Sequence, residues 1–447
     1  MINPDDLNLK QAVRNLIALF MFSIFILVGC QGQSILDAVF PQADTQLGDA
    51  EPTVALENPV EGDEPATPTP PIFYNLVLWV PPQFDPYGDS EAAALLSERI
   101  KTFLIQNPQV NLDVRVKAVS GPGNMIETLT GASAVAQDAL PSLVLISRAD
   151  LVQAVSKNLL YSIDELSTMV DEIDWYGFAQ NLAIYQGSAY GLPFASNALG
   201  LVFRGNALSS DQPSWEEAIS QLDSLVFPAG DAEALVTSAL YQSMDGQFLN
   251  QTGQPRLDSD KLASVLEIYN LARKGGLFNR RILEFQTDDQ AWESFISDNS
   301  DAVVTWVNRI LSNGGNLRLA LLPSFGENPF TIGTGWIWCL SEPDIQERAY
   351  AASLAEFLAA PEFLAEWAPV SGFLPVRPSS LAGYADEEFQ STLGTLLLSA
   401  DIRPDKNITA GISTEIKTAV AEVILGTQSP LESALDTAER LEAAENQ

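Results

Sequence analysis

No histidine occurs anywhere in the 447 residues. That absence removes Ser-His-Asp and Cys-His relays, in which an imidazole carries the proton, and every histidine-containing zinc or iron site. Carboxylate chemistry is left, since two Asp or Glu side chains suffice to hydrolyse a glycosidic bond. With 58 acidic residues in the chain, some acid always lies near another, so the acids single out no catalytic centre. The other side chains with something to offer a ligand stand just before or after predicted strand ends: Trp79, Gln83 and Phe84 in one segment, Asp150 in another. Aromatic faces stack on apolar surface, and amides and carboxylates exchange hydrogen bonds with hydroxyl groups. Such a set holds a molecule without breaking a bond in it. No catalytic residue, metal site or cofactor is expected.

The two cysteines are Cys30 and Cys339. Cys30 closes Leu27-Val28-Gly29-Cys30, after a largely apolar run from Leu16 to Val28 that follows Lys10 and Arg14 and precedes polar Gln31-Gly32-Gln33. A basic segment, an apolar segment and a small residue before the cut make a secretory signal. The run is shorter than the roughly 20 apolar residues a spanning helix needs. A cysteine directly after Leu-Val-Gly resembles the lipobox of bacterial lipoproteins, in which cleavage leaves that cysteine as a lipidated N-terminus. Residues 1–29 are therefore expected to be removed, and the mature chain to sit outside the cell membrane, attached through lipid at Cys30. Cys339 then has no partner, and no intramolecular disulfide is expected.

The net charge of −35 argues against nucleic acid as a partner, because phosphates call for clustered Lys and Arg. It disfavours broad contact with anionic lipid and keeps copies of the chain apart, so a monomer is expected. Apolar residues at 46% are ample for a packed core. From residue 30 to 72 the chain instead runs through Pro, Thr, Asp and Glu, as in Thr67-Pro68-Thr69-Pro70-Pro71, with no Lys or Arg between Arg14 and Arg99. This stretch buries too little apolar surface to offset the entropy of ordering it. It reads as a disordered acidic tether spanning at least ~35 Å.

Beyond the tether, strands and helices alternate. Tyr74-Asn75-Leu76-Val77-Leu78-Trp79-Val80 reads as a buried strand, and a helix with Asp89-Ser90 at its start runs to Asn107-Pro108. Val110, Leu112, Val114 and Val116 alternate with polar residues as in a half-buried strand. A helix from Gly123 to about Val135, the strand Leu143-Val144-Leu145-Ile146 and a helix from Arg148 follow. The order β-α-β-α-β predicts a parallel sheet covered by helices, with ligands outside the carboxyl ends of its strands. That rule selects the loops Pro81 to Asp85 and Ser147 to Asp150. The second half reads as mainly helical, interrupted by strands at Ala302 to Trp306 and Thr331 to Leu340. Some 375 residues exceed what one core holds, about 250–300 residues, so two lobes are expected.

Six stretches in this order resemble the sugar-binding type of extracellular solute-binding proteins of ABC importers, the type that includes maltose-binding protein. They are Leu76-Val77-Leu78-Trp79; Leu140-Pro141-Ser142 into the strand Leu143 to Ile146; Ala189-Tyr190-Gly191-Leu192-Pro193-Phe194 with Ala198 to Phe203; Ala302 to Trp306; Gly333-Thr334-Gly335-Trp336; and Gly372-Phe373-Leu374-Pro375-Val376-Arg377. The resemblance implies a periplasmic-binding-protein-like type II fold, with two α/β lobes around a hinged ligand cleft. The first lobe would hold 73–196 with 334–371, and the second 197–333 with 372–447.

It also implies a mono- or oligosaccharide as ligand and the permease subunits of an importer as partners. For the site, it sets Trp79, Gln83, Phe84 and Asp150 at cleft loops and Asn197 at the hinge. Trp306 matches a second-lobe cleft Trp, Trp336 a returning one, and Trp338 shares the strand face of Trp336. The helix around Val236-Thr237 lacks the aromatics of the maltose type, and Ser413-Thr414 replace its late Trp. Sugar binding is therefore implied as a class, without maltodextrin specificity. Two other readings use the same features: a secreted glycoside hydrolase, needing two acids about 5–10 Å apart across one cleft, and a binding module feeding a sensor. Replacing Cys30 by Ala should move the protein from the membrane fraction to a soluble or uncleaved species. Unaltered processing and fractionation of that variant would sink the lipobox reading.

Overall fold

The computed structural model describes residues 72–135, 139–250, 252–313, 315–325, 329–403 and 405–445. The segment bearing Cys30, and the tether as far as residue 71, lie outside the described residues. Among the described residues eleven strands follow one another: β1 (Tyr74–Val80), β2 (Val110–Val116), β3 (Leu143–Ser147), β4 (Ile184–Tyr185), β5 (Ser188–Ala189), β6 (Gly191–Arg204), β7 (Leu225–Val226), β8 (Ala302–Trp306), β9 (Leu317–Ala320), β10 (Thr331–Leu340) and β11 (Ala400–Ile402). β4 and β5 form a small hairpin. The other nine make one sheet in the order β2-β1-β3-β10-β6-β8-β7, with β11 on β10 and β9 on β6.

The parallel start of the sheet follows from its helices. Ser90 caps the helix Glu91–Gln106, its Oγ accepting from the Ala93 N–H at 3.1 Å. That helix and Met125–Val135 return the chain, so that β1 pairs in parallel with both β2 and β3. β2 lies at the edge and alternates in burial, whereas Leu143 to Ile146 in the middle of the sheet are wholly buried.

Two strands run through the whole molecule. The residues of β6 up to Ala198 pack into one hydrophobic core, and those from Leu199 pack into another. β10 does the same in reverse: Ile332 belongs to the second core, Ile337 to Leu340 to the first. The two strands pair antiparallel from Gly333↔Ala198 to Cys339↔Gly191, with a bulge at Trp336/Ile337. Trp215, which opens the helix Trp215–Gln221 behind a Ser214/Glu217 capping box, is buried in the second core.

The cores correct one expected boundary. Leu374, Val376, Leu393, Leu396 and Leu397 pack into the first core, although the sequence pattern assigns everything from 372 onward to the second lobe. Ser196 and Leu374 exchange backbone hydrogen bonds of 3.0 and 2.8 Å, which fasten the turn to the first-core part of β6. Arg377 is then fully buried there, 2.8 Å from Glu172 and 3.5 Å above the ring of Trp175. Only from Ile412 does the chain join the second core.

Among the described residues no helix is long and apolar enough to cross a membrane. Cys339 is a buried free thiol, whose pKa burial raises. The ladder between β6 and β10 leaves no room at Gly191, where a Cβ would stand 2.0 Å from the carbonyl oxygen of Trp338. Gly191→Ala should therefore cost about 1–3 kcal/mol or more. A melting temperature equal to that of the wild type would show the strands to be less tightly apposed.

Candidate ligand cleft

At the carboxyl end of β3 a cleft of about 690 Å³ opens between the two cores. The first core contributes Ser147, Arg148 and Ala149, the exposed side of the helix Arg148–Ser156 as far as Lys157, and Leu182. Opposite stand Glu233, Leu235 and Trp306. β10 supplies Ile332, Gly333 and Thr334, and the chain after β11 supplies Arg403, Asp405 and Lys406. Gly333 is required because a Cβ there would meet the ring of Phe178 at 2.5 Å.

Some cleft side chains are held from outside the cleft and others pair within it. Trp306 ends β8 opposite Leu199. Asp288 fixes the end of that strand, accepting from Thr305 Oγ1 at 2.6 Å while it pairs with Arg309 at 2.9 Å. Arg148 Nη1 donates to the carbonyls of Leu182 and Ile184 at 3.1 and 2.6 Å, and no carboxylate lies within ion-pair distance of it among the described residues. Burial pulls its pKa below the usual value, opposed chiefly by the field of Asp405. Arg403 pairs with Glu233 at 3.1 Å and donates to Ser413 Oγ, and its Nε is buried without a partner. Burial lowers its pKa too, against the raising effect of Glu233 and Asp231. Lys406 also pairs with Glu233.

Of the residues proposed from sequence, Trp306 alone lines this cleft. Asn197 is its neighbour, opposite Thr334 across β6 and β10, but its Oδ1 is engaged by the N–H groups of Ala198 and Asn308 at 3.0 and 3.2 Å. Asp150 stands in the first turn of the helix, where the N-cap Ser147 accepts its N–H at 3.2 Å and donates Oγ to its carboxylate at 2.9 Å. Burial raises the Asp150 pKa, and the Ser147 bonds oppose that.

Trp79, Phe84 and Trp338 fall in the first core instead, at 2%, 2% and 0% exposure. β1 and β10 are interior strands, and the chain around Trp367 and Phe373 covers their ends. Phe84 stacks on Phe373 at 4.8 Å, and half-buried Trp336 meets Phe84 edge-on at 5.3 Å, away from the cleft. Gln83 is exposed and likewise absent from the lining. The sequence reading missed Arg148, Glu233, Thr334, Arg403, Asp405 and Lys406. The loop of Arg148 was selected by the strand-end rule, whereas no pattern marks Arg403.

Two α/β cores sharing one sheet around a cleft define a periplasmic-binding-protein-like fold. Solved structures with the same architecture include the cyclic alpha-maltosyl-1,6-maltose binding protein from Arthrobacter globiformis (15% identity, 83% of this chain and 98% of that one, TM-score 0.66). The sugar-binding protein MalE from Xanthomonas citri is similar at 18% identity, 83% and 96% coverage and TM-score 0.65. An ABC transporter solute-binding protein from Thermotoga lettingae, bound with alpha-D-tagatose, is similar at 19% identity, 82% and 98% coverage and TM-score 0.57. A family model for bacterial extracellular solute-binding proteins matches residues 99–393, and the chain belongs to that family. No curated protein matches it by sequence.

Placement separates the indoles by experiment. Trp306→Ala should weaken solute binding by about 1–3 kcal/mol with little change in melting temperature. Trp338→Ala should cost about 3–5 kcal/mol of stability, as expected for a core truncation. A destabilised Trp306→Ala protein of unchanged affinity would move Trp306 out of the site.

Proposed function

We propose that this solute-binding protein captures an extracellular saccharide in the cleft between the two cores. It would deliver that saccharide to the permease of an ABC importer from the outer face of the membrane, where lipid at Cys30 holds it. The observation that carries this reading is the cleft itself. It opens where β6 and β10 pass from one core to the other, and it offers one indole beside many hydrogen-bonding groups. A sugar needs that combination, an apolar face for the ring and fixed donors and acceptors for its hydroxyls. Trp306 supplies the face; Thr334, Gln153 and Ser156 supply neutral partners. The sugars named for the structural neighbours support the same class.

The ligand would act by binding the closed arrangement of the cores better than the open one, so that closure reports occupancy to the permease. The chain works as a receptor and not as a hydrolase: of the two acids lining the cleft, Glu233 is engaged by two cations and stands as their counter-charge. Screening the protein against a sugar library by thermal shift tests the proposal, since a ligand at 100 times its Kd adds ~2.7 kcal/mol of stability. Small-angle scattering with the best binder should give a smaller radius of gyration than the free protein. A tight binder that leaves the radius unchanged would argue against closure, and a library without a single stabilising sugar would overturn the saccharide.

A further inference from the structure

The charges lining the cleft run opposite to those of the chain. Over the whole sequence acids outnumber bases 58 to 23. In the cleft the bases Arg148, Lys157, Arg403 and Lys406 face only two acids, Glu233 and Asp405. The acids do not neutralise them evenly. Glu233 is shared by Arg403 and Lys406, while Arg148 and exposed Lys157 have no ion-pair partner among the described residues. Arg148 donates to carbonyls through Nη1 alone and lies 5.5 Å over the ring of Tyr185, and its other nitrogens make no hydrogen bond among the described residues. The side chain of Arg403 is only 9% exposed, and its Nε has no hydrogen-bond partner.

Resting on the reading that the cleft takes a sugar, we propose that the sugar is an anionic one, its acidic group bound by Arg148, with Lys157, Arg403 and Lys406 adding to the positive field of the cleft. A neutral sugar accepts hydrogen bonds from these cations but leaves their charge standing. Closing the cleft would then remove uncompensated cations from water, which is costly. A carboxylate or an esterified phosphate compensates that charge and fits the planar guanidinium in a two-pronged hydrogen bond. It also accounts for cations gathering at one place in a chain otherwise so poor in them.

Titration calorimetry on the full chain with matched pairs tests this: glucuronate against glucose, galacturonate against galactose, the corresponding oligosaccharides, and glucose 6-phosphate for the ester. The acidic member should bind about 10-fold tighter or more, and the gap should shrink as salt is added. Arg148→Gln should abolish the gap. Because Arg148 also secures two carbonyls, Lys157→Gln serves as a second variant; it should lower affinity for the acidic sugar a few-fold at unchanged melting temperature. Preference for glucose 6-phosphate over both uronates would assign the ester as the anionic group. Neutral sugars binding as tightly as their acids, or a gap that survives both substitutions, would overturn the proposal and leave sugar capture intact. Silence from every acidic and neutral sugar would overturn both.

Discussion

The molecule depends on β6 and β10 keeping their backbone hydrogen bonds while they change cores. A buried peptide group without a partner is costly, so neither strand can fray where it leaves one set of helices for the other. Pairing from Gly333↔Ala198 to Cys339↔Gly191 satisfies the first-core part, and β8, β9 and β11 take over beyond it. Thr331 adds a side-chain bond at the changeover, its Oγ1 donating to the Leu199 carbonyl at 2.6 Å. The changeover joins the cores mainly through extended backbone, so the closure proposed on ligand binding would be a rotation spread there as a small twist per residue, with the ladder still paired. The cleft opens beside this changeover, where such a rotation alters its width most.

The cleft then shows how local and overall charge part company. A strongly negative chain repels anions at long range, but salt shortens that repulsion to about 10 Å at ordinary ionic strength. Within the cleft the nearest charges decide, and four of the six are cationic. Burial makes those charges more demanding, since Arg148 and Arg403 lose water without gaining complete partners. Glu233 is what lets Arg403 and Lys406 lie so close together.

Sequence pattern conveys the architecture better than the site. Alternation in Val110 to Val116 and the unbroken apolar run from Leu143 to Ile146 identify strands because one edge and one interior strand bury their side chains so differently. The loops at the cleft follow from the strand-end rule. Which side chain of a loop enters the cleft does not: Arg148 and Asp150 are two residues apart on a helix, hence about 200° apart around its axis. Strand ends likewise suggest ligand contact for Trp79 and Phe84, but Trp367 and Phe373, nearly 300 residues on, roof over that part of the sheet. Contacts that distant leave no trace in local periodicity. Nor does any motif mark Arg403, which reaches the cleft through the three-residue strand β11 pairing with β10.

The course of β10 also sets the order in which the chain can finish folding. β1, β2 and β3 are made early, yet the interior neighbour of β3 is residues 336–340 of β10, and the covering side chains reach as far as Leu397. Until that late segment arrives, β3 offers an open, wholly apolar edge. The entire second-core excursion from 199 to 332 must be accommodated as a closed loop before the first core is complete. Loop closure over such a separation is entropically opposed, and sheets built from distant segments form slowly. The half of the molecule that begins the chain thus stays unfinished until Leu397 is in place, and the second core in turn waits for Ile412 to Leu441.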